Sequence, residues 1–371
     1  MSDDGPTAPT VIVVGAGIIG ASIAWHLSRR GAVVTIVADR AGGEATHNSF
    51  AWINASWGNP EVYYRLRMRS MQEWKRIAED LPSLPLSWCG GLCWDLPTGQ
   101  LEAYAVEHSG WGYHIHSVDR QASAAIEPNL TDPPEFALHA VDEGAVEPVA
   151  AAKLMLGDSF RLGATLLTGT SVTGLIRKDG RIAGIETADG VLLADHVVLA
   201  AGIGTAAIAA SAGIDIPLEA PPGLIVHSKP HKRLLNGLVI GPDLHMRQTE
   251  EGRIIAGGDF GGSDPGNNPQ AAADALFAKV KSKLDGGDAL ELETYTIGYR
   301  PTPVDGFPII GPVDGASGLY LAVMHSGVTL APLAGLLAAS EILGGTSDAT
   351  LAPFRLSRFG AAMPPPKKPG R

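Results

Sequence analysis

Cysteine is almost missing from this sequence: Cys89 and Cys93 are the only two among 371 residues. Two thiols exclude a disulfide framework. Their C-x-x-x-C spacing fits neither the redox C-x-x-C pair nor half of a zinc site, so no metal site is expected. Positive charge is also short. The 28 Lys and Arg face 39 Asp and Glu, a formal charge of −11, which argues against nucleic acid as a partner. The opening MSDDGPTAPT carries no apolar h-region, so no secretory signal is expected. Long apolar runs are scarce too. The stretch 197–214 is uncharged, but its Ala, Gly, Ser and Thr content reads as strand, glycine turn and small-residue helix. A cytoplasmic protein without a transmembrane segment is the expectation.

What is present is a chain long enough for two domains and a substantial core. Apolar residues make up 45% of it, which rules out general disorder. Glycine (46) and proline (27) are abundant without a Gly-X-Y period, so collagen is excluded and many tight turns are implied. Residues 11–14 form a short apolar run suited to a buried parallel strand. Ile19, Ile23 and Leu27 then recur every fourth residue as a helix face, with Gly31 as the stop. Residues 33–37 supply a second strand. The chain thus starts with a βαβ unit.

A second α/β patch spans about 148–222. It has a helix near 149–162, strand-like segments with hairpin signals at Asp179-Gly180 and Asp189-Gly190, and the buried strand HVVLAAG. Further helices are expected at about 61–80 and 328–343. Residues 223–302 alternate as strands do, in GRIIAGGD and LELETYTIGYR. No repeat or structureless linker separates the blocks, so one domain interrupted twice by pieces of another is predicted. The Pro-rich basic end and the first nine residues read as loose tails. The aromatic cluster Trp52, Trp57, Tyr63 and Tyr64 reads as core packing, with the lining of a large pocket as the alternative.

The chemistry begins at Gly15-x-Gly17-x-x-Gly20, placed between strand and helix. The first glycine permits a tight turn, the second lets the backbone approach a pyrophosphate, and the third lets helix and strand pack. Free N–H groups and the dipole at the helix start favour phosphate charge. Asp39, 19 residues after Gly20, fits a ribose-binding acid loosely, although strand alternation puts Ala38 and Asp39 on opposite faces. A second fingerprint at Gly202-x-Gly204-x-x-Ala207 fails, because Pro217, Pro221 and Pro222 interrupt what should be its next strand. One dinucleotide is expected, reduced by the substrate itself.

Four segments, GAGIIG, GGEATHNSFAW, ADHVVLAAG and GYRPTPVDGFPIIGP with MHSGVTLAP, together resemble the FAD-dependent D-amino acid oxidase family, which includes glycine and sarcosine oxidases. The resemblance covers roughly residues 11–345. It implies an α/β fold: a Rossmann-like FAD-binding domain of the glutathione-reductase type, interleaved with an α+β substrate domain on an antiparallel sheet. The FAD-binding domain would comprise 10–55, 145–222 and 303–360, and the substrate domain 56–144 and 223–302, with tails 1–9 and 361–371. The cofactor contacts it implies are Gly15, Gly17, Ile18, Ile19, Gly20, Ala38, Asp39, Arg40, Ala45, Thr46, Phe50, Ala51, Trp52, Val172, Ala201 and Gly202. His325, Ser326, Gly327, Val328, Thr329 and Leu330 would add contacts at a helix start, where unsatisfied N–H groups stabilise an anionic reduced flavin.

By the same resemblance Arg300 would hold a substrate carboxylate with its planar fork. His245 stands where glycine oxidase-like members carry an active-site tyrosine, to orient the amine or accept its proton, and His325 would lie beside the flavin. Three positions depart from the family pattern. Ala38 occupies the usual place of the ribose acid, Met324 replaces a glycine before His325, and the loop there is about two residues short. Both cysteines lie away from the Gly298 segment, where sarcosine oxidases attach FAD, and His47 is offset by one from the histidine of dimethylglycine dehydrogenase-like members. Non-covalent FAD is therefore expected. The implied reaction is oxidation of an amino acid or N-alkyl amino acid to an imine, with oxygen, a quinone or a redox protein as final acceptor. The alternatives are the FAD-bearing component of a hetero-oligomeric dehydrogenase and a non-catalytic FAD-binding module.

Overall fold

The computed structural model describes residues 8–55, 58–258 and 264–360. The expected tails at 1–7 and 361–371, and Trp57, lie outside the described residues. A six-stranded sheet is built from β1 (Thr10–Val14), β2 (Val33–Ala38), β3 (Thr165–Thr168), β4 (His196–Leu199), β5 (Ile309–Pro312) and β6 (Leu319–Val323). Its spatial order is β5-β6-β4-β1-β2-β3. Every pairing is parallel except the β5–β6 edge. The sheet thus takes strands from three separated stretches of the chain.

Why β1 is apolar throughout follows from its two faces. Val11 and Val13 enter one core while Ile12 and Val14 enter another, on opposite sides of the sheet. The first core is closed by α1 (Ile18–Arg29), α2 (Glu61–Asp80), α3 (Pro148–Arg161) and α4 (Gly327–Gly344). On the second side lie the antiparallel strands Val172–Lys178, Arg181–Thr187 and Gly190–Leu193 and the short helix Thr205–Ala210. The Asp179-Gly180 turn adopts the positive φ angles, 50° and 80°, that its hairpin signal predicted.

The Ile19, Ile23, Leu27 stripe understates α1. Ile18, Ala21, Ala24 and Trp25 are buried along with Ile23 and Leu27, because the helix is clamped between the sheet, α3 and α4, while Ile19 is only partly buried. Gly335 of α4 permits that clamp, since a Cβ there would lie 2.3 Å from Ser22 Oγ. Among the described residues α4 is the helix long and apolar enough to cross a membrane, by length and composition only. Here its apolar side chains face α1, α2 and the core.

Pro332 lies inside α4 and cannot donate to the Val328 carbonyl. Trp74 Nε1 of α2 donates to that carbonyl instead, at 3.0 Å. Ser70 inserts one step further along, donating to the Thr329 carbonyl at 2.7 Å and accepting from the Leu333 N–H at 3.3 Å. The break in the helix ladder is thus closed by side chains of α2, which fixes the first turn of α4.

The second layer is an eight-stranded sheet, largely antiparallel, in the order Leu292–Tyr299, Pro222–Ser228, Ile254–Gly257, His245–Gln248, Leu238–Ile240, Gly91–Cys93, Phe136–Ala140 and Ile115–Asp119. Its outer face packs Val226, Val239, Met246 and Ala256 under the helix Pro269–Ser282. Its inner face carries Ile225, Ile240 and Ile255 with Phe50. Alternation therefore turns His245 and Arg247, which flank Met246, inward.

Two outcomes check this packing. Ser70→Ala leaves buried backbone groups of α4 short of partners and should destabilise the protein by roughly 1–3 kcal/mol in denaturant titration. His26, buried between α1 and α4, has its pKa lowered to about 3 by desolvation and by Arg30, Arg76 and Arg29. Its folded pKa lies below the unfolded value, so its stabilising contribution is complete above about pH 6.5 and is lost as pH falls from there towards 3. His26→Gln should reduce proton uptake on unfolding at pH 5 by about one, measured from the pH dependence of thermal unfolding.

Candidate cofactor and active site

A cleft of ≈ 470 Å³ opens at the carboxyl ends of β1, β2 and β4, the usual ligand position of an open α/β sheet. Its floor is the turn from β1 into α1. A Cβ on Gly15 would lie 2.3 Å from the Ala200 carbonyl oxygen, and one on Gly20 would lie 1.9 Å from the Gly15 oxygen. Gly15 has φ 108°, which a side chain resists. Gly17 and Gly43 meet backbone to backbone, with 2.8 Å between a Gly43 Cβ and the Gly17 Cα. Thr46 Oγ1 accepts from the Ile18 N–H at 3.0 Å and ties the 43–46 turn to the start of α1.

The cleft brings together most residues of the sequence expectation. Gly15, Gly17, Ile18, Ile19, Ala38, Asp39, Arg40, Ala45, Thr46, Val172, Ala201, Gly202, His325, Gly327 and Val328 all line it. Gly20 does not; it sits behind Gly15 and sets the strand–helix approach. Ala38 and Asp39 were expected on opposite faces, yet both line the cleft, because β2 ends at Ala38 and alternation stops there. Ser171 Oγ donates to Asp39 Oδ1 at 2.7 Å, so the carboxylate is held at the rim. Sequence reasoning missed Glu44, Ser49, Thr170, Ser171, Ile203, Tyr299 and Pro301 in the lining. Tyr299 and Pro301 flank Arg300, which was a usable signal; Ser171 had only its neighbour Val172 to point to it.

Phe50, Ala51, Trp52, Ser326, Thr329 and Leu330 lie behind the wall instead of in it. Phe50 packs edge-on to the His245 ring with centroids 4.5 Å apart, and its carbonyl accepts from Arg247 Nε at 2.6 Å. Arg247 is held in turn by Glu147 at 2.7 Å. Ala51 takes φ 63°, a strained value for alanine, and its N–H donates to Ser49 Oγ at 3.0 Å. Trp52 Nε1 donates to the buried Glu143 at 2.7 Å. Thr329 Oγ1 donates to the Trp52 carbonyl at 3.2 Å, and Leu330 belongs to the core.

Arg300 and His245 sit on the inner face of the large sheet, Arg300 over Gly223 and His245 over Gly257, next to the cleft wall formed by Tyr299 and Pro301 and not in the lining itself. Space for them is made by missing side chains. A Cβ on Gly223 would lie 2.6 Å from Arg300 Nη2, and one on Gly257 would lie 2.4 Å from His245 Nε2. Burial and the Arg300 charge push the His245 pKa down to about 3. The ring is neutral near pH 7, so it can offer hydrogen bonds there but is a poor proton acceptor. His325 lines the cleft at the start of α4.

The first turn of α4 has no side-chain cap: Ser326 Oγ accepts from Arg67 instead. Among the described residues the Val328 and Thr329 N–H groups make no protein hydrogen bond, and Val328 lines the cleft. A glycine cradle, helix starts at both ends whose N-cap residues make no capping bond, and a hydroxyl–carboxylate rim fit a dinucleotide that carries a flavin. No cysteine lines the cleft. His47 folds back over Gly42 with its Nδ1 2.6 Å from the Gly43 oxygen, away from the lining.

Comparison with known proteins agrees with this geometry. The sequence profile of the DAO family, described as FAD dependent oxidoreductase, matches residues 10–341. Hydrogen cyanide synthase subunit HcnC of Pseudomonas aeruginosa is 27% identical, over 94% of this chain and 96% of that protein. Glycine oxidase of Pseudomonas putida is also 27% identical, over 93% of this chain and 97% of that one. The crystal structure of L-proline dehydrogenase from P. horikoshii shares the fold with a TM-score of 0.85 at 24% identity, covering 96% of this chain and 99% of the other. With most of its length matched, the chain belongs to the DAO family of FAD-dependent oxidoreductases.

Proposed function

We propose that this enzyme oxidises the C–N bond of an amino acid or N-alkyl amino acid. The observation that carries the reading is Arg300, seated over the bare Gly223 at a strand end whose neighbours Tyr299 and Pro301 line the cofactor cleft, with the buried His245 over Gly257 on the same sheet. FAD, when bound, supplies the two-electron acceptor for a hydride from the substrate α-carbon. Arg300 binds the carboxylate with paired, charge-assisted hydrogen bonds and so fixes the direction in which the Cα–H points. His245, neutral and buried, orients the amine without competing for its proton. The amine reacts as the free base, whose lone pair pushes the hydride out, and the resulting imine is hydrolysed by water. The free N–H groups at the α4 start would favour a cofactor that carries negative charge at that end of the cleft. Names such as glycine oxidase and L-proline dehydrogenase among the relatives support an amino acid substrate.

A second reading is favoured by two relatives whose names make them parts of larger assemblies. One is HcnC; the other is an opine oxidase component of Rhizobium meliloti, 26% identical over 94% of this chain. In this reading the chain passes electrons onward within a hetero-oligomer. Purified alone, a self-sufficient oxidase turns over with oxygen, whereas a component of an assembly is reduced by substrate and then stays reduced until an acceptor such as a quinone analogue is added.

An anaerobic screen of D-, L- and N-methyl amino acids should bleach the flavin absorbance with at least one of them; no bleaching across the set removes the amine reading. Arg300→Ala should raise the apparent substrate KM on the order of 10²-fold with FAD retained. An unchanged KM takes Arg300 out of the site.

A further inference from the structure

We propose that Arg67 is a positioning residue that sets the redox poise of the bound flavin; this rests on the cofactor reading above, in which the start of α4 faces the flavin. Arg67 belongs to α2 and is 7% exposed. A guanidinium so placed is normally matched by a carboxylate, because a bare buried charge costs several kcal/mol. Here every acceptor is neutral. Nε donates to the Asn54 carbonyl at 2.9 Å, Nη2 to Asn54 Oδ1, and Nη1 to Ser326 Oγ at 2.8 Å. The cation also lies over the Tyr63 ring, 5.3 Å from its centroid. Among the described residues no Asp or Glu forms an ion pair with it, although α2 pairs its other arginines 65, 69 and 76 with carboxylates.

Ser326 connects this unmatched charge to the cleft. Serine in the N-cap position ordinarily bonds an N–H of the first helical turn. Arg67 takes its oxygen instead, and the cap is left open towards His325, Gly327 and Val328, all in the cleft wall. A positive charge thus stands directly behind a helix start that already carries positive potential. In low dielectric both act in the same direction. They favour whichever state of the cofactor holds more negative charge at that edge, which is the two-electron-reduced one.

The measurement is the midpoint potential of FAD in the wild-type holoenzyme and in Arg67→Met and Arg67→Lys, by dye equilibration with xanthine and xanthine oxidase as electron source. Sulfite affinity serves as a second readout, since its adduct places an electron pair on the flavin. In Arg67→Met the ratio of reduced- to oxidised-flavin affinity should drop 10- to 100-fold, a fall of about 30–60 mV for a two-electron couple. Sulfite should bind correspondingly weaker, and Arg67→Lys should recover most of both. If Arg67→Met does not retain FAD, Arg67→Gln, which also removes the charge, takes its place with the same expected fall and the same overturning result. Ser326→Ala keeps the charge and should move the potential by less than the methionine variant does. A potential within 10 mV of wild type in an FAD-loaded Arg67→Met, or one that Arg67→Lys fails to restore, overturns the proposal. No amine enters these measurements, so a negative amine screen and an unmoved potential remain separate results.

Discussion

Three backbone segments meet at the turn after β1 with no room for a side chain. Gly15 touches Ala200 of the strand end beside it, Gly20 touches Gly15, and Gly43 touches Gly17. Everything downstream depends on that approach. It lets α1 start at the sheet edge with its N–H groups facing the cleft, and it brings the loops after β2 and β4 close enough to form one wall. A methyl group at Gly15 or Gly20 would overlap a carbonyl oxygen, and no rotamer change relieves a backbone clash.

The other end of the site depends on α2. A proline in α4 would ordinarily leave its first turn free to move. Trp74 and Ser70 take over the hydrogen bonds that Pro332 disrupts, and Arg67 holds the cap residue. One helix thus fixes both the position of the α4 start and its electrostatic surroundings. The two ends of the cofactor cleft are therefore built differently, one by the absence of side chains and the other by three of them.

How much of this was legible beforehand follows from the range of each interaction. The βαβ start, the helices at 61–80 and near 149–162, the Asp-Gly turns and the glycine cradle are local, with their signals spaced within one or two elements. Arg300 and His245 were singled out only through resemblance, since nothing in LHMRQ or GYRP reports that strand pairing puts both segments in one sheet. Arg67 and Ser70 were missed because they look like ordinary polar positions of an amphipathic helix. Their significance lies in Ser326 and Thr329, some 260 residues away, and no periodicity records that. The failure at Asp39 has another cause: alternation was applied one residue past the strand end, where the rule no longer holds.

The order of the six-stranded sheet has a consequence for the newly made chain. β4 lies between β1 and β6, and β6 spans Leu319–Val323. Until the residues of β6 and α4 have been made, β4 keeps an unpaired edge and the apolar faces of α1 and α2 lack α4. Such pairing between distant segments is slow and leaves sticky intermediates. The cofactor cleft is lined by the end of β4 and by the α4 start, so it is complete only once segments far apart in the chain have come together.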